Sequence, residues 1–170
     1  WIGSNYTKVE RTATWDYLQA FVDEARKQGL RIHAAINTFV GGNQIDGGTG
    51  LLYRDQSKAE WATQMNMQVG ITSVMNTSES TKFFNPAHPE VQTFLCDLLK
   101  DLAGYDLDGI FLDRGRFLNL QADFSEESRK QFEEYMGGIR IQNYPNDILA
   151  PGASSLPATY PKSVSYTHLT

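Results

Sequence analysis

Residues 107–117 have the sequence Leu-Asp-Gly-Ile-Phe-Leu-Asp-Arg-Gly-Arg-Phe, a short apolar run that ends abruptly in charged side chains. An apolar run of this length, bounded by polar residues, is typical of a strand buried on both faces of a parallel sheet. In parallel α/β folds, ligands bind at the carboxyl ends of the strands. Asp113 falls at that end of the predicted strand, so its carboxylate is the strongest candidate in the chain for chemistry.

The two arginines that follow leave a second interpretation of Asp113 open. In that interpretation, the carboxylate pairs with Arg114 or Arg116, or it caps the loop after the strand. Its position at a strand end favours a functional role without excluding a structural one. Both interpretations stand at the level of sequence.

The composition of the chain limits the classes of function. The chain has 170 residues and a formal net charge of -5, which argues against a nucleic-acid-binding surface. No apolar stretch approaches the ~20 residues of a membrane-spanning helix. A complete eight-stranded α/β barrel needs ~250 residues, so this length fits one domain but not a whole barrel. The single cysteine, Cys96, excludes an intrachain disulfide, and its place on an apolar helix predicts a small core residue.

The two ends of the sequence set the expected domain limits. The chain begins at Trp1, and residues 164–170 resemble the translation of a transposase adapter used in sequencing libraries. We therefore expect one partial domain over residues 1–163 and a non-native tail over residues 164–170.

Two helix–strand units follow the same pattern of helix, glycine, strand and polar residue. The first has a predicted helix over residues 14–28 and a strand over residues 30–36 that ends before Asn37. The second has a predicted helix over residues 89–104, followed by the strand that ends at Asp113. Alternating helices and strands predict a parallel sheet with right-handed crossovers, in which the two polar residues lie at the same edge.

Two fold types use this pattern, namely a segment of a (β/α)8 TIM barrel and a doubly wound open sheet. The turns after the predicted strands lack the glycine fingerprint of a dinucleotide site, which argues against the doubly wound sheet. The pattern by itself predicts the α/β class and leaves both fold types open.

The remaining segments are assigned from their turn-forming residues. Residues 37–87 form a long excursion, in which residues 61–69 are a short helix or an irregular stretch. A third helix is predicted over residues 125–135. Residues 139–163 contain several prolines and are predicted to be loop, with one short turn near Asp147.

Three ordered motifs resemble a bacterial family of glycosyl-hydrolase-like proteins. They are Gly-Leu-Arg-Ile-His-Ala-Ala-Ile-Asn at residues 29–37, Asn-Pro-Ala-His-Pro-Glu-Val at residues 85–91 and Asp-Gly-Ile-Phe-Leu-Asp-Arg at residues 108–114. With these motifs, roughly residues 12–150 resemble the family-10-type glycosyl-hydrolase-like proteins, which are distantly similar to the α-amylase-type barrels.

The resemblance implies an eight-stranded α/β barrel in which the two predicted strands are the third and fourth. The fold that we predict on this basis is a partial (β/α)8 TIM barrel, with about two strands and three helices. It implies a carbohydrate substrate and a periplasmic or secreted location. It also places Asp113 at the position of an active-site carboxylate. Many relatives have a second Asp or a Tyr-rich stretch directly after that carboxylate, and this sequence departs from them with Arg114-Gly115-Arg116.

Hydrolysis of a glycosidic bond usually requires two carboxyl groups that flank the bond. Asp113 is the predicted first member of this pair, as nucleophile or charge stabiliser. Arg114 or Arg116 is predicted to hold Asp113 ionised or to bind substrate hydroxyls, and the alternative is an ordinary surface ion pair. The second carboxyl group is expected on a later strand, so we expect no hydrolysis from this chain alone.

Asn37 and Trp61 complete the predicted substrate-binding residues. Asn37 hydrogen-bonds sugar hydroxyls in one interpretation and forms a turn in the other. Trp61, like Tyr53 and Phe39, either stacks on a sugar ring or packs locally within the excursion.

The other acidic residues are assigned structural roles. The glutamates of the third predicted helix are interpreted as solvated side chains, and Asp123 as a loop or capping residue. The sequence has no HExxH motif, Cys/His cluster or calcium-loop pattern, so we predict neither a metal ion nor a cofactor. A non-catalytic glycan-binding barrel protein remains the alternative function, because a fold does not fix an activity.

Overall fold

The computed structural model describes residues 15–155, which form helices and strands of a mixed α/β fold. The helices are α1 (Tyr17–Lys27), α2 (Leu51–Arg54), α3 (Pro89–Ala103) and α4 (Glu126–Tyr135), and the strands are β1 (His33–Asn37), β2 (Val40–Asn43), β3 (Gln64–Met67), β4 (Gly70–Ser73), β5 (Thr81–Phe83) and β6 (Gly109–Asp113). The predicted α/β class is confirmed. The strands of the described residues form three two-stranded sheets, and no barrel closes among them. The predicted domain end at residue 163 and the predicted tail over residues 164–170 lie outside the described residues.

β1 and β6 form the parallel pair that the sequence predicts. Their register pairs His33 with Gly109 and Asn37 with Asp113. Just beyond β1, the Thr38 N–H donates to the Asp113 carbonyl oxygen at 2.7 Å. Asn37 and Asp113 therefore lie side by side at the carboxyl end of this sheet.

An ion-pair cluster fixes the opposite end of the same sheet. Arg26 of α1 pairs with Asp106 and Asp108, with an N–O distance of 2.8 Å in each pair. The Asp108 carboxylate also accepts the Ile32 N–H at 2.7 Å, and this hydrogen bond lowers the pKa of Asp108. β1 begins at His33, later than predicted, because the Ile32 N–H donates to the side chain of Asp108.

The segment predicted as a loop over residues 37–87 instead contributes two antiparallel ribbons. β2 pairs with β5, and β3 pairs with β4. The prediction of a short helix or an irregular stretch was wrong for β3, because this strand lacks the alternation that marks a strand in sequence. Its two central residues, Met65 and Asn66, are both buried, and the Asn66 amide donates to the Leu149 carbonyl oxygen at 2.9 Å.

The hydrophobic core lies between these ribbons and the apolar face of α3. His88 caps α3 and Pro89 is its first residue, and the His88 Nδ1 atom accepts the Glu90 N–H at 3.2 Å. Cys96 is exposed, so its prediction as a core residue was wrong. It follows Leu95 by one position, and each position turns a helix by about 100°, which carries its thiol off the buried stripe. The buried cluster consists of Leu52, Trp61, Ala62, Met65, Val74, Phe84, Val91, Leu95 and Leu98.

Trp61 belongs to this core, so the prediction that it binds substrate is wrong. Its side chain is only 2% exposed, and its ring centroid lies 5.5 Å from that of Phe94 and 6.1 Å from that of Phe84. The indole N–H donates to the Glu90 carboxylate at 2.9 Å, and the Lys58 ammonium lies 4.3 Å from the ring centroid. A ring enclosed in this way leaves no face for a sugar to stack on.

Glu133 of α4 is buried, although the sequence predicts a solvated side chain. It is 3% exposed, and its carboxylate pairs with Arg140 at 2.7 Å and with Arg129 at 3.1 Å. It also accepts the Ile141 N–H at 2.9 Å. The hydrogen bonds from Ile141 and the two arginines lower the pKa of Glu133 to about 2. Glu133 therefore ties the segment after α4 back onto the helix.

Glu133→Gln tests this cluster through the pH dependence of stability. Because the pKa of Glu133 falls from 4.5 to about 2 on folding, its contribution is complete above pH 4.5 and is lost as the pH falls towards 2. We expect the variant to be less stable near neutral pH and to lose less stability across this acid range. Urea unfolding at a series of pH values measures both effects.

The control is Glu134→Gln on the exposed side of α4, which should keep the wild-type pH dependence. Identical acid profiles for the wild type and Glu133→Gln would contradict the assignment.

Trp61→Ala tests the place of this ring in the core. We expect a loss of about 3–5 kcal/mol in the free energy of unfolding, because the change leaves a cavity in a packed cluster. Trp15 is 58% exposed, so Trp15→Ala should cost less than about 1 kcal/mol. Denaturant unfolding of both variants checks the difference, and similar losses would show that Trp61 is not a core residue.

Candidate active site

An open cleft of about 590 Å³ lies at the carboxyl end of β6. Two segments line it: β5 with the residues just before it, and the end of β6 with the loop that follows. The lining residues are Glu79, Thr81, Phe83, Asp113, Arg114, Gly115, Arg116 and Leu118. This volume lies in the range of roughly 300–1,000 Å³ that small-ligand sites occupy.

Asp113 lines this cleft with an exposed carboxylate. One of its oxygens, Oδ1, accepts the N–H of the next residue, Arg114, at 2.8 Å. This hydrogen bond fits the alternative in which Asp113 caps the loop. Among residues 15–155, neither Arg114 nor Arg116 forms an ion pair with it, so the alternative in which it pairs with an arginine does not hold. The carboxylate therefore remains available to a ligand.

Arg114 turns the chain sharply after Asp113. Its φ of 50° lies in the left-handed region, which costs a residue with a side chain roughly 1–2 kcal/mol. The turn directs its guanidinium towards β5, where Nη1 donates a long hydrogen bond to the Thr81 hydroxyl at 3.4 Å. This contact links the two segments that line the cleft.

Arg116 is held by backbone carbonyl groups of its own loop. Its Nη1 donates to the carbonyl oxygens of Phe117 at 2.9 Å and Leu118 at 2.8 Å. A guanidinium has five N–H donors, and these contacts use only one of its nitrogens. Arg116 therefore keeps donors for a ligand in the cleft.

Asn37 is exposed beside Asp113 but is not among the residues that line the cleft. Its predicted role in binding substrate stays a prediction. The next residue, Thr38, is buried, and within the described chain its hydroxyl has no hydrogen-bond partner. This hydroxyl lies near the cleft loop, since a Cβ added to Gly115 would be 3.9 Å from it.

The other aromatic residues of the excursion pack locally. Phe39 contacts the hydrophobic core. The Tyr53 ring lies against the backbone of β2, since a Cβ added to Gly42 would be 2.9 Å from it. Neither residue lines the cleft.

Sequence reasoning missed the residues that β5 and its preceding turn contribute to the cleft. Glu79 and Thr81 belong to a polar run with no periodic pattern and no recognisable motif. Their approach to Asp113 results from the pairing of β5 with β2, which no local signal in the sequence specifies.

No group of three His, Cys, Asp or Glu side chains in residues 15–155 is arranged to hold a metal ion. None of the helices in this part of the chain is long and apolar enough to cross a membrane.

Comparison with known proteins identifies the family. The model of the family "Glycosyl hydrolase-like 10" matches residues 1–147. An S-layer-related protein from Niallia circulans is 33% identical over 141 residues, an alignment that covers 78% of this chain and 8% of that protein. The chain thus spans about 8% of the length of this relative. No solved structure matches the chain. With nearly all of the described residues inside the family match, the chain belongs to the glycosyl hydrolase-like 10 family.

Proposed function

We propose that the protein is a glycoside hydrolase that acts on O-glycosidic bonds of an oligosaccharide or polysaccharide. In this proposal, Asp113 is one of the two carboxyl groups at the scissile bond. The observation that carries it is the place of Asp113, which ends a parallel strand and lines an open cleft without an ion pair among residues 15–155. Membership of a glycosyl hydrolase-like family supports the same chemistry.

A partial barrel is the architecture that we propose around this site. β1 and β6 are parallel neighbours, and the chain between them includes α3, as in two consecutive strands of a (β/α)8 barrel. The side chains of Phe111 and Leu112 in β6 are 63% and 49% exposed. Apolar side chains on a barrel strand are normally covered, so their exposure fits a sheet that continues with further strands.

The proposed chemistry follows from the charges in the cleft. An ionised Asp113 acts as nucleophile or stabilises the positive charge that develops at the anomeric carbon. Arg114 and Arg116 donate hydrogen bonds to sugar oxygens, and Asn37 at the neighbouring strand end binds a hydroxyl that extends beyond the cleft. All four side chains belong to the carboxyl ends of β1 and β6 or to the loop that follows β6.

Asp113→Asn in the intact protein tests the catalytic role. We expect kcat to fall by about 10²–10⁴-fold, because the amide neither attacks the anomeric carbon nor carries the negative charge that stabilises it. Release of reducing sugar from a panel of polysaccharides measures the rate. Asp23→Asn, an exposed change on α1, serves as the control and should stay within about twofold of wild type.

Near wild-type hydrolysis by Asp113→Asn would refute the assignment. Glycan binding without hydrolysis by the wild-type protein would instead support a non-catalytic glycan-binding role.

Variants of Arg114 give a second test, which separates the effect of its backbone conformation from the effect of its guanidinium. Arg114→Gly and Arg114→Ala both remove the guanidinium, so both should weaken glycan binding to a similar extent. The glycine variant should be more stable than the alanine variant by about 1 kcal/mol, because glycine adopts a φ of 50° without strain. Denaturant unfolding of the pair decides the point, and greater stability of the alanine variant would contradict the strained turn.

A further inference from the structure

Glu79 is a carboxylate in the cleft that the proposed chemistry does not yet use. It lies in the turn between β4 and β5 and lines the same cleft as Asp113. Its side chain is half-buried. Within residues 15–155, it forms no ion pair and no side-chain hydrogen bond.

The turn that carries Glu79 is fixed by a buried lysine. Lys82 is 1% exposed, and its ammonium donates to the carbonyl oxygens of Val74 and Thr77, both at 3.0 Å. The Thr77 hydroxyl donates to the Val74 carbonyl oxygen at 2.8 Å and accepts the Glu79 N–H at 3.3 Å. Glu79 thus extends from a turn whose backbone is held by several hydrogen bonds.

Glu79 also has a structural role, because its charge acts on the buried ammonium of Lys82. The test has to separate this role from ligand binding. Burial lowers the pKa of Lys82, and the negative charge of Glu79 acts in the opposite direction. Removing that charge therefore affects the buried ammonium as well as the cleft. A change to aspartate retains the charge, whereas a change to glutamine removes it.

The cleft combines groups that are complementary to a sugar ring. Glu79 and Asp113 offer carboxylate oxygens, which accept hydrogen bonds from hydroxyl groups, and the two arginines of the loop after β6 donate to sugar oxygens. Leu118, which is half-buried, adds apolar surface for the C–H groups of the ring, whereas Phe83 is only 2% exposed and is a buried core residue. A polyhydroxylated ligand can satisfy all of these groups together.

We propose that Glu79 is a substrate-binding residue whose carboxylate accepts hydrogen bonds from hydroxyls of the sugar that also contacts Asp113. This proposal rests on the proposed function, since it assumes that the ligand of the cleft is a glycan. Glu79 sets affinity and selects sugars with free hydroxyls at the contacted positions.

The experiment measures glycan binding in the Asp113→Asn background of the intact protein, so that hydrolysis does not deplete the ligand. The probes are oligosaccharides of glucose, xylose, mannose and N-acetylglucosamine, and the dissociation constant is measured by calorimetry. Adding Glu79→Gln should weaken binding of the preferred probe by about tenfold to a hundredfold, as expected for a hydrogen bond to a charged acceptor. Adding Glu60→Gln, an exposed change outside the cleft, should leave the dissociation constant unchanged.

Glu79→Asp is the second variant, because it retains the charge near Lys82 but withdraws the carboxylate from the ligand. We expect Glu79→Asp to keep the urea unfolding midpoint of the background. It should still weaken binding by about tenfold or more. Unchanged affinity in either Glu79 variant overturns the proposal, whatever the hydrolysis assays show. Absence of binding for every probe removes the glycan assumption and overturns both proposals, whereas binding without hydrolysis in the wild type overturns only the catalytic one.

Discussion

The parallel pairing of β1 and β6 is the constraint on which the rest of this structure depends. It joins two segments that are far apart in the chain, and its register determines which side chains meet at each end. At one end, Arg26 and Asp108 fix the entry to both strands through charged hydrogen bonds. At the other end, the Thr38 N–H extends the pairing to the backbone of Asp113. The carboxylate of Asp113 is therefore placed by backbone geometry and not by an ion pair.

The excursion between these strands provides both the core and one side of the cleft. Its ribbons pack against α3, and Asp123 then couples β3 to the start of α4. The Asp123 carboxylate accepts the Gln64 N–H at 2.6 Å and the Ser128 hydroxyl at 2.7 Å, and it also accepts the Ser125 hydroxyl. These bonds fit the loop or capping role that the sequence predicts for Asp123, while Ser125 is the N-cap of α4. The same packing that buries the core thus presents β5 to the loop after β6.

The sequence predicts the elements whose signals are local. The apolar face of α3, its start at Pro89 and the strand that ends at Asp113 all follow from spacing and capping within a few residues. The error at Cys96 is local and comes from its phase on α3, whereas the errors at Trp61 and Glu133 concern long-range partners. Trp61 is buried because α3 covers it, and Glu133 is buried because residues after α4 return to it. Glu79 was missed for the same reason, since only the pairing of β5 with β2 brings it to the cleft.

The exposure of Cys96 has a practical consequence. It is the single thiol of the whole sequence, and it lies on the solvent side of α3, which contributes no residue to the cleft. A maleimide-linked fluorophore or spin label attached there occupies one defined position without touching the groups that face a ligand. Because α3 is packed against the core through its other face, such a label moves with the body of the domain and provides a fixed point for distance measurements to a bound, labelled glycan.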